Sequence, residues 1–150
     1  MTGKQDAHIS PQGALVDTRN MQEDIATRMS ALAAVDGELE RAIYPTSPGD
    51  DIPTLLNKVE HWINAHVGPA LEALGVLVTV PIATAGVDAE ARLRWTVYGF
   101  MVNDKSIWKC EKGTQVAVLE RVPMLIDALR EATQQQLDRI RRLKALYHGR

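Results

Sequence analysis

The residues best suited to chemistry are a carboxylate beside two histidines: Glu60, His61 and His66. Such a group can act as an acid–base pair or bind a metal ion. The order is not His-Glu-x-x-His, and a five-residue gap places the two histidines on different faces of a helix. Because His66 falls on the apolar stripe near Trp62, the sequence favours a core histidine and predicts no metal and no cofactor.

Cys110 is the only cysteine in the chain. A nucleophilic thiol needs a lowered pKa and a nearby base, whereas the hairpin derived below places Cys110 on an apolar face. The chain also has no Gly-rich phosphate loop, no G-x-S-x-G motif and no dinucleotide-binding fingerprint. The sequence therefore predicts a buried structural cysteine and a protein without catalytic residues.

A basic patch lies near the end of the chain and comprises Arg139, Arg141, Arg142, Lys144 and Arg150. Basic residues in this position can bind phosphates or an acidic partner, but they also complement the dipole of a helix end. On an ideal helix Arg139, Arg141 and Arg142 point in three different directions. This geometry favours a solvated helix end over a nucleic-acid site.

Three polar residues interrupt apolar helix faces: Asp36 in the first long helix, and Thr133 and Gln136 in the last. Polar groups on an apolar face need hydrogen-bond partners or water. They can be ordinary hydrogen bonds of the core, or they can mark where a face leaves the core and meets another subunit. Both interpretations stay open. Together with Ile140 and Tyr147, these are the candidate interaction residues.

Composition and patterning limit the class of protein. A chain of 150 residues, 45% hydrophobic and with net charge −2, is long enough for one core without disulfides. Residues 1–12 lack the pattern of a signal peptide, and the longest apolar run, 75–86, is too short to span a membrane. We expect a cytoplasmic protein with a flexible tail over residues 1–16 and a single domain over residues 17–150.

Hydrophobic periodicity and turn residues predict the following elements. They are a helix over residues 20–43 with an Asn20–Glu23 capping box, a helix from residue 52 capped by Asp51 and ended by Gly68-Pro69, a short continuation closed by Gly75, a strand over 76–80, a loop over 85–92, and a helix from Pro123 to about Tyr147. Residues 114–121 stay undecided between strand and helix.

A two-residue turn at Asn103-Asp104 predicts a β-hairpin over residues 93–111. One register then sorts most side chains into an apolar and a polar face. It places Trp108 opposite Gly99 on the buried face. That face would also hold Leu93, Trp95, Val97, Met101 and Cys110, with Cys110 opposite Val97, while Phe100 and Ile107 would lie on the other face.

These elements predict an α+β fold with two N-terminal helices, a small antiparallel sheet around the 93–111 hairpin, and a long C-terminal helix. Two long amphipathic helices offer more apolar surface than so small a sheet can cover. We therefore expect a non-catalytic protein–protein interaction module (an adaptor, accessory factor or small inhibitor), homodimeric through a long helix. The alternatives are a nucleic-acid-binding accessory protein that uses the basic helix end and, in third place, a small enzyme.

Overall fold

The computed structural model describes residues 11–42, 46–83 and 91–147. These ranges contain four α-helices and a four-stranded antiparallel sheet, which confirms the α+β class. The elements are α1 (Pro11–Glu40), α2 (Ile52–His66), α3 (Gly68–Leu74), β1 (Val80–Pro81), β2 (Arg92–Thr96), β3 (Gly99–Val102), β4 (Lys105–Ser106), a 3₁₀ helix (Ile107–Lys109) and α4 (Lys112–Tyr147).

Helix α1 begins at Pro11, not near Asn20, so residues 11–16 of the predicted tail are helical. The helix ends at Glu40 and not at residue 43 as predicted, since Arg41 and Ala42 are not helical, and residues 1–10 lie outside the described residues. Proline suits the first position of a helix because its ring fixes φ and its missing N–H needs no partner there. The Asn20–Glu23 spacing does not mark the helix start, because an asparagine inside a helix costs only roughly a few tenths of a kcal/mol.

Helix α4 begins at Lys112, so residues 114–121 are helical and Pro123 lies inside the helix and not at its start. An internal proline costs about 3 kcal/mol because one backbone hydrogen bond is lost. Buried residues on both sides of it, Val118 and Val122 before and Leu125 after, pack into the same core. Burial of these side chains offsets the cost, and α4 continues for 36 residues.

Helices α1 and α4 pack against each other in antiparallel directions. Arg130 of α4 pairs with Asp36 of α1, while Arg28, two turns earlier in α1, lies beside Gln136, further along α4. Apolar side chains between the two helices, such as Leu32 and Leu129, belong to the hydrophobic core. The two helices thus form one long face over which the rest of the chain folds.

Helix α2 begins and α3 ends where the sequence predicts. The Asp51 carboxylate accepts a hydrogen bond from the Thr54 N–H (2.9 Å), and Pro53 lies in the first turn. Gly75 adopts the left-handed conformation (φ 70°) that closes α3. The predicted strand over residues 76–80 is paired only at Val80, and most of the predicted loop 85–92 lies outside the described residues.

The predicted turn at Asn103-Asp104 is confirmed, because Val102 pairs with Lys105. A second tight turn at Val97-Tyr98 was not predicted, and it pairs Thr96 with Gly99. Gly99 has φ 105°, a conformation that glycine tolerates and other residues rarely adopt. The segment expected to be one long strand therefore folds back on itself and forms two strands, β2 and β3.

This second turn makes the predicted long register wrong. Neither Trp108 opposite Gly99 nor Cys110 opposite Val97 occurs, because the chain enters the 3₁₀ helix after β4. Trp108 is 43% exposed, whereas Trp95 is buried at 6% as predicted.

The buried face of the sheet also differs from the prediction. Leu93 pairs with Val102 and Trp95 with Phe100, and all four side chains are buried. Phe100 and Ile107, expected on the polar face, are fully buried, while Val97 is exposed. The alternation of apolar residues restarts after each turn, and a single two-residue period across 93–111 could not reproduce it.

Candidate interaction site

Glu60 of α2 closes one edge of the sheet. Its carboxylate accepts hydrogen bonds from the Phe100 N–H (2.7 Å) and from Nε1 of Trp108 (2.9 Å), and the residue is only 8% exposed. In an antiparallel ladder Phe100 turns its N–H towards the β4 side, but β4 has ended there. A Cβ on Gly99 would collide with the Glu60 carboxylate. Glu60 thus replaces a strand at this edge.

The two histidines lie apart from this contact. His66 stacks on Trp62 (ring centroids 5.1 Å apart), and its Nδ1 lies 3.5 Å from Oε2 of Glu38 in α1. Both His66 and His61 are exposed, so the prediction of a core histidine at position 66 is wrong. Glu60 faces the sheet while His66 faces α1. Within residues 11–42, 46–83 and 91–147, no three His, Cys, Asp or Glu side chains form a group that could hold a metal ion.

Cys110 lies just after the 3₁₀ helix and is half-buried. Its Sγ donates a hydrogen bond to the Ser106 carbonyl (3.4 Å), and burial raises the pKa of the Cys110 thiol. A raised pKa keeps the thiol protonated at neutral pH, and the thiol is a poor nucleophile compared with the thiolate.

The three polar residues on apolar helix faces have partners within the chain. Asp36 pairs with Arg130 (3.2 Å), and the fully buried Thr133 donates to the Leu129 carbonyl of its own helix (2.7 Å). Gln136 Nε2 donates to the Gly75 carbonyl (3.4 Å). These contacts correspond to the first interpretation of the polar residues, hydrogen bonds within the molecule.

The basic residues near the end of α4 divide into two groups. Arg139 and Arg142, one helical turn apart, line a shared polar cavity of about 530 Å³ that also contacts Leu77 and Gln136. Arg141 instead forms an exposed ion pair with Asp138 (3.2 Å). Lys144 is exposed, and Arg150 lies outside the described residues. Arg139 and Arg142 therefore border one cavity, and Arg141 is not part of its lining.

A patch of exposed apolar side chains lies at one end of the α1–α4 pair. Towards this end, the last buried core residue that the structure describes is Ile25 on α1 and Ile140 on α4. Because the helices are antiparallel, the chain beyond Ile25 and beyond Ile140 runs towards the same end. The exposed residues there, called the helix-end patch below, are Met21, Leu143, Leu146 and Tyr147.

A groove of about 590 Å³ lies between residues 77–79 and strand β2. Its rim carries the exposed apolar residues Leu77, Val97 and Tyr98, and Trp95 lines it from the sheet. We call it the β2 groove. No local sequence pattern marks this groove, since Gly99 after Val97-Tyr98 indicates only a tight turn.

Comparison with known proteins places no relative beside this chain. No protein-family model matches the sequence, and neither the curated proteins nor the solved structures contain a match. Within the described ranges, every helix falls short of the length and apolar character that crossing a membrane requires.

Proposed function

We propose that the chain is a non-catalytic protein–protein interaction module that forms a homodimer through the helix-end patch. The observation that carries this proposal is the exposure of Leu143, Leu146 and Tyr147 beyond the last core layer, together with Met21 of the antiparallel helix. Apolar side chains scattered singly over a surface are ordinary, whereas a contiguous group points to an interface. In a homodimer, the helix-end patch of each copy would cover the helix-end patch of the other.

Charge supports a second copy as the partner. The exposed residues of α1 at this end include the acidic Glu23 and Asp24, while those of α4 include the basic Arg142 and Lys144. A two-fold axis makes both copies use the same surface, and it can set α4 of one copy against α1 of the other. Basic and acidic residues would then face each other around the apolar patch, which is the arrangement that favours specific association.

The absence of catalysis and the cytoplasmic location are parts of the same proposal. Glu60 is engaged by two donors of the sheet, and the pKa of the Cys110 thiol is raised, so neither group is prepared for acid–base or nucleophilic chemistry. A single cysteine in the sequence supports a reducing compartment.

Light scattering coupled to size exclusion at micromolar concentration tests the homodimer. We expect twice the chain mass of 16.6 kDa. Leu146→Glu, which buries a charge in the contact, should give the monomer. Tyr98→Glu is the matched control, because Tyr98 is 87% exposed and Leu146 is 64% exposed, yet Tyr98 lies on the rim of the β2 groove and does not line the cavity of Arg142. A monomeric wild type at all concentrations, or a monomeric control variant, contradicts the proposal.

A second candidate function is binding of an anionic partner such as a nucleic acid. The observation that favours it is the cavity shared by Arg139 and Arg142, since two guanidinium groups can converge on one phosphate. The double variant Arg139→Glu/Arg142→Glu should abolish retardation of DNA or RNA at low salt, while Arg141→Glu should leave it nearly unchanged. Binding must also weaken steeply as salt rises. The absence of any retardation by wild type contradicts this candidate.

A further inference from the structure

Strands β1 and β2 separate after two residue pairs. They pair at Val80 with Leu93 and at Pro81 with Arg92. Continued in the same register, Val78 would lie opposite Trp95. Residues 76–79 are not a strand, however, and the β2 groove is lined by residues 77–79, by β2 and by Met101 of β3. The sheet is therefore split at this position.

The backbone of Trp95 faces this split. The Asn103 N–H donates to the Arg92 carbonyl on the β3 side, and the Ile82 N–H donates to the Ala91 carbonyl on the β1 side. Because successive residues of a strand alternate between its two neighbours, Trp95 turns its N–H and C=O towards the β1 side. In the described ranges no backbone hydrogen bond joins Trp95 to residues 76–79. Among the residues that the structure describes, one donor and one acceptor with strand geometry are thus left open.

The side chain of Trp95 adds a second unsatisfied group. Its indole Nε1 is buried and has no hydrogen-bond partner among the described residues. The ring packs so closely on Gly68 that a Cβ there would lie 2.6 Å from Cζ2. Packing of this kind restricts movement of the ring towards another partner. A buried donor without a partner costs about 1–3 kcal/mol, and the tight packing on Gly68 holds Trp95, with its backbone groups, in place.

We propose that the β2 groove binds an extended peptide segment of a partner protein, which pairs with the backbone of Trp95 and fills the split in the sheet. Addition of a strand gives affinity through backbone hydrogen bonds and specificity through alternate side chains. The exposed Leu77, Val97 and Tyr98 favour apolar residues in the peptide, and Glu72 and Arg94 supply opposite charges along the lining.

The two sides of the sheet support this assignment by contrast. At the β3 edge, where β4 ends, the open Phe100 N–H is taken by the Glu60 carboxylate. At Trp95 no such internal group is present among the described residues. The lining of the β2 groove includes no residue of the helix-end patch, and the proposal does not depend on dimerisation.

The test uses the full chain and a phage-displayed library of random heptapeptides. Met101 lines the groove, so Met101→Glu should block it. Peptides enriched on the wild type, but not on this variant, are synthesised with blocked ends, and their binding is followed by NMR of the Trp95 backbone and indole N–H signals. We expect apolar residues at alternate positions, and we expect N-methylation of the peptide nitrogen that faces Trp95 to weaken binding at least tenfold. Leu146→Glu, which lies outside the groove, should bind as tightly as the wild type.

Three outcomes overturn the proposal. The first is that no peptide is enriched. The second is binding that is insensitive to N-methylation, because the backbone pairing would then be absent. The third is a shift of the Trp95 signals with protein concentration alone, since a second copy would then occupy the groove. If the wild type proves to be a monomer, all of these readouts can still be measured. Failure of the homodimer proposal is therefore distinguishable from failure of the peptide-binding proposal.

Discussion

Replacement of Glu60 by alanine should destabilise the protein by about 3–4 kcal/mol. The carboxylate accepts the Phe100 N–H, which is fully buried, and the indole N–H of Trp108, which is partly exposed. A hydrogen bond to a charged group contributes about 1.5–3 kcal/mol, and a buried donor left without a partner loses its full solvation. The Phe100 bond should therefore account for most of the loss, because water can replace the acceptor at Trp108.

Urea unfolding followed by circular dichroism measures this effect, with all variants at one concentration because dimerisation shifts apparent stability. Trp108→Phe is the matched control, since it removes only the exposed donor, and it should cost about 1 kcal/mol. Glu60→Gln keeps one acceptor oxygen and should fall between the two. A loss below about 1 kcal/mol for Glu60→Ala, or an equal loss for Trp108→Phe, would refute the assignment of Glu60 as the group that closes the β3 edge.

Two further changes test the packing of α3 and the cap of α2. Gly68→Ala should lower the free energy of unfolding by about 1–3 kcal/mol, because its Cβ would overlap the Trp95 ring. Gly113→Ala is the control: no atom lies within 4 Å of its Cβ, and it should stabilise α4 by up to about 1 kcal/mol. Equal effects of the two variants would contradict the packing. Hydrogen bonds from the side chain and backbone of Thr54 hold the pKa of Asp51 below its ordinary value. The stabilisation they give is present above that ordinary value and is lost as pH falls towards the lowered one. Asp51→Asn should therefore show a smaller drop in melting temperature between pH 6 and pH 3 than the wild type, and an unchanged drop would refute the linkage.

The features that sequence predicted well are those fixed by local chemistry. Asp51 before Pro53 specifies a helix start, Gly75 a helix end and Asn103-Asp104 a turn, because each depends on a few adjacent residues. The Val97-Tyr98 turn was missed because neither residue is a typical turn former, and only Gly99 indicated it.

The candidate surfaces depend on contacts between residues far apart in the chain. Glu60 contacts Phe100 forty residues later, and the β2 groove brings Leu77 together with Val97 twenty residues later. No local pattern encodes either contact. The long amphipathic helices did predict surplus apolar surface, but which part stays exposed follows from where the core ends, at Ile25 and Ile140.

Amide hydrogen exchange at two protein concentrations tests the homodimer and its location together. The turns of α4 beyond Ile140 lie past the last core layer, so their amides should exchange rapidly in the monomer. At concentrations where the dimer forms, we predict that protection rises in residues 141–147 and around Met21, while the turn at Val97-Tyr98 stays unchanged. Equal exchange at both concentrations, or a rise confined to residues outside the helix-end patch, would contradict the account.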